Sequence, residues 1–423
     1  MHNEVFDLSL ELPQFSPTLI RAVAVLVPFG AALILFMVHQ PKPRAAGGML
    51  LATLWNLVAL LALNLLAAQF GWWHFNASKA TFLDIPTDLY LGWAVLWGAL
   101  SMLALPKMRL ELMILILAVV DLVYMPLAFP VVQLESGWLI GEAVCLVCAA
   151  IPAQLLGRWT RDSLHLYARV GLQMLLFTGL YFFVIAALVL EVTHGSWTRF
   201  LANPVWFNIL LGIFSIFPGI LAVNSVLEFA RFGRGTPFPW DSPDHLVTTG
   251  PYAFIKNPMQ FGASLLALIW GAFLGSWELM LASVMAIAFS ASIAKWQEHS
   301  DLEQRFSDAY LEYHSRFRNW IPRWRLWQAH SSRLQLIAGS RFLAWYKQQN
   351  PVFLTLEQGS TLEYQSDERA PELGIDAVAR ALEHLNLVWA ALGWMLKLPL
   401  IKTIVKPWFT ASIKRNARDS REL

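Results

Sequence analysis

The chain has 423 residues, 57% of them hydrophobic and 14% charged, with a mean hydropathy of +0.50. That balance excludes an ordinary soluble domain and indicates an integral membrane protein. A net charge of +2 argues against a nucleic-acid binder, and two cysteines provide neither a disulfide framework nor a metal site.

The first residues, "MHNEVFDLSLELPQFSP", are acidic and lack the basic start of a cleaved signal peptide. A bilayer core takes about 20 apolar residues per helix, and runs of that kind predict nine spans. They cover residues 18–38, 48–70, 88–105, 110–131, 137–157, 168–190, 204–228, 260–275 and 277–295. Cys145 and Cys148 fall in the fifth span, where they serve as small apolar residues. The last two spans are separated only by Leu274 to Trp277, which predicts a tight helical hairpin.

Alternate connections carry Lys42 and Arg44, then Lys107 and Arg109, then Arg158 and Arg161, then Arg231, Arg234 and Lys256. The opposite set holds only Lys79 and Arg199, beside Asp84 and Glu135. Because Lys and Arg are retained on the cytoplasmic side, nine spans place the N-terminus outside and the C-terminus in the cytoplasm, as in a bacterial inner membrane. Trp72, Trp73, Trp206 and Trp240 suit the interface. Asn56, Asn64, Glu111, Asp121, Glu142, Gln173, Asn224 and Glu228 are polar groups within spans. Of these, Asp121 and Glu142 lie on neighbouring spans and fit either a pocket or helix-packing polar contacts.

After about residue 296 the stretch "QEHSDLEQRFSDAYLEYHSRFRNWIP" reads as a charged amphipathic helix ending near Pro322. Residues 327–423 form a more polar helical tail, with a loop at "TLEQGSTLEYQSDERAPELG" and helices from Ile375 to Leu396 and Ile401 to Arg415. Its basic end, "KTIVKPWFTASIKRNARDSR", suits either anionic headgroups or solvent. The fold expected is all-α: a polytopic bundle of about nine spans with a cytoplasmic helical tail. Its parts are an N-terminal bundle (1–200), a membrane core (201–326) and the tail (327–423).

The densest chemical signal lies between Asp241 and Pro322. A loop rich in Pro and Gly persists at membrane depth only where it lines a cavity or is buried in protein. Gly250 and Pro251 allow a tight turn, Tyr252 and Phe254 offer ring faces, and Asn257-Pro258 starts the hairpin. The ordered series "DHLVTTGPYAFIKNPMQFG", hairpin, "EHSDLEQRFSDAYLEYHSRFRNWIP" resembles the C-terminal core of the isoprenylcysteine carboxyl methyltransferase and phospholipid methyltransferase superfamily. That resemblance implies an integral membrane enzyme transferring a methyl group from S-adenosylmethionine to a lipophilic acceptor of the isoprenoid, lipid or thiol class.

Carried over position by position, the resemblance implies cofactor contacts from Asp244, His245, Leu246 and Val247, from Gly250 and Tyr252, from Lys256, Asn257, Pro258, Met259 and Gln260, and from Glu298. Where the family has Arg-His the chain has Lys256-Asn257; its Tyr is Gln260, its second Glu is His299, and its Gly after Phe306 is Ser307. Lys256 keeps the charge without the guanidinium fork, and Asn257 keeps hydrogen bonding without a titratable ring. His245, His299 and Lys295 are the candidates for acting on the acceptor. The departures keep a second reading open, a degenerate non-catalytic scaffold or lipid-binding subunit on the same fold. A weaker resemblance links "GIDAVARALEHLNLVWAALGWMLKLPLIKTIVKPWFTASIKRN" to the C-terminal half of small thioredoxin-like DCC domains. Those carry a Cys pair that this chain lacks after Cys148, which implies a structural remnant.

Overall fold

The computed structural model describes residues 15–76, 79–241, 243–289, 295–318, 320–337, 341–359, 361–366 and 370–419. They fall into two compact units. One is built from the residues up to His194 together with Phe238–Asp241, the other from Gly195–Pro237 and the residues that follow Asp241.

The first unit contains six long helices: α1 (Pro17–His39), α2 (Pro43–Ala67), α3 (Thr87–Ala104), α4 (Leu110–Leu127), α5 (Trp138–Asp162) and α6 (Leu166–Val192). Pro at the first helical position opens α1 and α2, where the missing N–H costs nothing. Ser16 caps α1 by accepting the Leu19 N–H at 3.3 Å. The helices approach closely through small residues: a Cβ placed on Gly92 would lie 1.8 Å from the Ala24 carbonyl oxygen, and one on Gly48 would lie 2.4 Å from that of Gly157. Outward, α1 exposes Leu26, Val27, Ile34 and Val38, a surface suited to hydrocarbon rather than water. In the connections β1 (Trp73–Phe75) pairs antiparallel with β4 (Val132–Leu134), and β2 (Thr81–Phe82) pairs with β3 (Ile85–Pro86). Asp241 is fully buried, paired with Arg44 at 2.5 Å and with Arg169, and so ties its short segment to α2 and α6.

The second unit begins with α7 (Val205–Gly233), whose last turn, Phe229–Gly233, is π-helical. It packs against α8 (Pro258–Phe273), with a Cβ on Gly262 falling 2.7 Å from the Pro218 carbonyl oxygen. A short turn then leads into α9 (Trp277–Phe289), so the expected hairpin forms. The amphipathic helix is α10 (Lys295–Arg316), which ends before Pro322.

Among the described residues seven helices are long and apolar enough to cross a membrane, or eight if the bent pair Leu387–Lys397 and Pro399–Phe409 is one span. The protein is mostly helical and polytopic, as expected, but the eighth predicted span is short. At 1.5 Å per residue the 16 residues of α8 reach about 24 Å, less than a hydrocarbon core of about 30 Å. The ninth, 277–295, runs beyond Phe289 and out of the described residues.

The tail corrects the expectation of a helical segment with a loop at 355–374, because it also contains a sheet. It holds β5 (Ser332–Ile337), α11 (Arg341–Gln348), β6 (Leu354–Gly359), β7 (Glu363–Gln365), β8 (Glu372–Leu373), α12 (Ile375–Glu383), α13 (Leu387–Lys397) and α14 (Pro399–Asp419). The sheet order is β6-β5-β7-β8, with β5 and β6 parallel and the other pairings antiparallel. Leu334, Leu336, Tyr346, Tyr364, Ala377, Ala381, Leu382 and Leu385 form its core. The presumed loop is therefore largely strand. Its segments are short and polar, and β7 turns a single buried residue, Tyr364, inward. The helix expected over 375–396 breaks at His384–Asn386, where Asn386 accepts the Val388 and Trp389 N–H groups and caps α13.

Candidate functional site

The loop between α7 and α8 is held by its own backbone and by α10. As the chain leaves α7, the Asp244 N–H donates to the Gly233 carbonyl at 2.7 Å. Thr249 is extended, and Gly250 follows at φ 61°, in the left-handed region that favours glycine. A Cβ there would also meet Glu228 Cδ at 2.9 Å, so both conformation and space call for glycine. A short 3-10 turn, Gly250–Ala253, brings Tyr252 beneath the loop, its carbonyl accepting from the Tyr313 hydroxyl at 2.9 Å. Arg305 donates to the Pro243 carbonyl at 2.6 Å. Asn257 occupies the cap position of α8 without a side-chain bond to the first turn, and Pro258 opens the helix.

The loop has a polar lip and an apolar floor. Asp244 and His245 are exposed, and Leu246, Lys256, Asn257, Met259 and Gln260 are half-buried. Val247, Gly250, Tyr252 and Pro258 are buried. Lys295, Glu298 and His299 lie on α10, and their side chains fall outside the described residues.

One group that sequence reading passed over stands directly behind this loop. Arg380 of α12 is 3% exposed and forks onto Glu228 of α7, with Nη2 at 2.7 and 2.9 Å from the two carboxylate oxygens. Its Nε lies 3.3 Å from Glu372 and its Nη1 3.1 Å from Glu383. Lys397 reaches Glu383 at 3.1 Å and Arg231 reaches Glu372 at 3.4 Å. Burial works against the charge on Arg380, but the carboxylates of Glu228, Glu383 and Glu372 outweigh it and push its pKa above the ordinary value. Glu228 is also tied to the loop, because the Thr249 hydroxyl donates to its Oε1 at 2.5 Å. A cavity opens at this point, with Thr249 and Gly250 on the loop side and Tyr364, Glu372, Arg380 and Glu383 on the tail side. Glu372 Oε2 is buried there with no hydrogen-bond partner among the described residues.

The intramembrane carboxyls of the first unit are also placed. Asp121 is fully buried and accepts the indole N–H groups of Trp93 at 2.9 Å and Trp97 at 3.0 Å. Glu142 is buried with Oε1 unbonded, and both polar atoms of Gln173 are likewise unbonded, among the described residues. Glu111 is instead an exposed partner of Arg109. No group of three or more His, Cys, Asp or Glu suited to a metal occurs among the described residues.

No curated protein and no solved structure matches the chain. A model of the phospholipid methyltransferase family does match, over residues 205–309, the stretch from the start of α7 into α10 that carries the loop just described.

Proposed function

We propose that this protein is an integral membrane methyltransferase using S-adenosylmethionine and a lipophilic acceptor, with the loop from Asp244 to Gln260 and Glu298 as its cofactor site. The observation that carries this reading is the family match, which covers the loop, the hairpin and the start of the closing helix, as far as residue 309. The donor set fits such a cofactor. Exposed Asp244 and half-buried Lys256, Asn257 and Gln260 supply polar contacts at the lip, while buried Val247 and Tyr252 supply an apolar wall.

Bound there, the cofactor supplies a methyl group activated by its sulfonium charge. The chain's contribution is alignment and exclusion of water. Gly250 lets the backbone turn tightly, Tyr252 and Phe254 close the floor, and α8 with α9 present an apolar flank to the acceptor. A carboxylate or thiolate acceptor needs no general base. For a neutral amine or hydroxyl, His245 or His299 takes the proton, and Lys295 orients the acceptor. We place the loop and the tail on the cytoplasmic side.

The test is equilibrium binding of S-adenosylmethionine to detergent-purified protein, wild type and Glu298→Ala. Binding by the wild type and loss in the variant are expected; folded wild type that does not bind overturns the proposal. The substitutions at Asn257 and Gln260 favour a second reading, a non-catalytic scaffold or lipid-binding subunit. That reading expects an Asn257→Ala, Glu298→Ala double variant to retain full cellular function.

A further inference from the structure

The tail and the family core meet in one buried ion network, and that network ends on the loop. Glu228 lies between Arg380, which holds both of its oxygens, and Thr249, which donates to one of them. Gly250 then packs so close to Glu228 that no side chain fits between them. Any displacement of the Glu228 carboxylate is therefore felt by the Thr249–Gly250 turn. The neighbouring backbone is tied to the tail and to the segment that leads into it. The Phe254 and Ala253 carbonyls accept from the Arg323 and Trp327 N–H groups at 2.8 and 3.0 Å, and Phe254 meets the edge of Trp394 with ring centres 5.4 Å apart.

Two features point to Arg380 as the controlling member. Its guanidinium spreads three nitrogens over three carboxylates, Nη2 on Glu228, Nε on Glu372 and Nη1 on Glu383, which a single lysine ammonium does not reproduce. The Phe232 ring, 5.3 Å below the guanidinium, further limits its orientation. Without the guanidinium Glu228 remains buried beside Thr249, and turning toward water draws Thr249 with it.

We propose that Arg380 is a positioning residue for the loop site: it fixes Glu228, and through Glu228 the Thr249–Gly250 turn, so that the tail sets the affinity of the core for its cofactor. The affinity half rests on the methyltransferase reading; the link between tail and loop does not.

The experiment uses full-length protein in detergent and two readouts, amide hydrogen exchange across residues 248–256 and equilibrium binding of S-adenosylmethionine. Arg380→Lys and Thr249→Val break the chain of contacts at its two ends. Glu383→Gln alters the same ion network away from the loop, and Lys402→Ala removes the Lys402–Asp376 pair elsewhere in the tail. Arg380→Lys and Thr249→Val are expected to raise loop exchange at least tenfold and weaken cofactor binding at least fivefold, with both controls near wild type. Equal loosening by Glu383→Gln indicates general destabilisation and overturns the proposal, as does unchanged exchange in Thr249→Val should Arg380→Lys not fold. Loosened exchange with undiminished binding overturns the affinity half. Wild type that binds no cofactor overturns the methyltransferase reading, while exchange still decides the link.

Discussion

The Tyr364 hydroxyl lies 3.0 Å from Nε2 of His384 in the core of the tail. The other ring nitrogen, Nδ1, is 2.7 Å from the Val352 carbonyl and donates to it, while the Tyr364 hydroxyl donates to Ser332 Oγ at 2.8 Å. Burial holds His384 neutral, pushing its pKa down from 6.5 to about 4, while the bond to Val352 works the other way.

A pH dependence follows. The folded tail keeps His384 unprotonated to about pH 4, whereas the unfolded chain takes up a proton near pH 6.5, so stability is full above 6.5 and falls as the pH drops toward 4. The loss is about 3 kcal/mol across that window. Thermal unfolding between pH 4 and 7.5 should show this slope in the wild type and a flatter profile in His384→Asn.

Gly250→Ala should be costly. The substitution places a Cβ at φ 61° and 2.9 Å from Glu228 Cδ, which combines backbone strain with a clash against a buried carboxylate. A loss of roughly 2 kcal/mol or more is expected, with a lowered midpoint in denaturant and weaker cofactor binding. A variant as stable as wild type contradicts the geometry.

Ser307 gives a prediction of the opposite sign. It interrupts α10 at φ 42° and ψ −122°, a conformation that favours glycine, at the position where the family pattern has Gly. Ser307→Gly removes strain of about 1–3 kcal/mol and adds chain entropy worth roughly 0.5–1, for a net gain of about 1 kcal/mol. Differential scanning of the two proteins measures it directly.

Arg380→Met tests the ion network by its non-additivity. Removing the guanidinium leaves Glu228 and Glu372 buried without the cation they share, at an expected cost of about 3–5 kcal/mol. Adding Glu228→Gln should recover part of that loss, because one of the stranded charges is then gone. A double variant no more stable than Arg380→Met argues that the two side chains are energetically independent.

Much of the membrane part was readable because its determinants are local. The length of each apolar run reports the thickness it can cross, and the small connection at Leu274 to Ser276 forces α8 and α9 together. The order of the loop motifs is equally a property of neighbouring residues, and the family match falls on the same stretch. The tail was read less well. Strands β6, β7 and β8 are six, three and two residues long, too short for alternation to stand out among polar neighbours. Asn386 ended one helix and began the next inside what looked like a continuous apolar period.

Hydropathy and turn chemistry act over a few residues, so the polytopic membrane character and the loop that carries the family motif are legible along the chain. What stands behind that loop depends on contacts that only folding brings together. Glu228 and Arg380 are 152 residues apart, and neither has a local pattern that names the other. Their pairing arises because the tail's sheet and the end of α7 exclude water around both charges, and a buried charge must find its partner wherever the fold brings one.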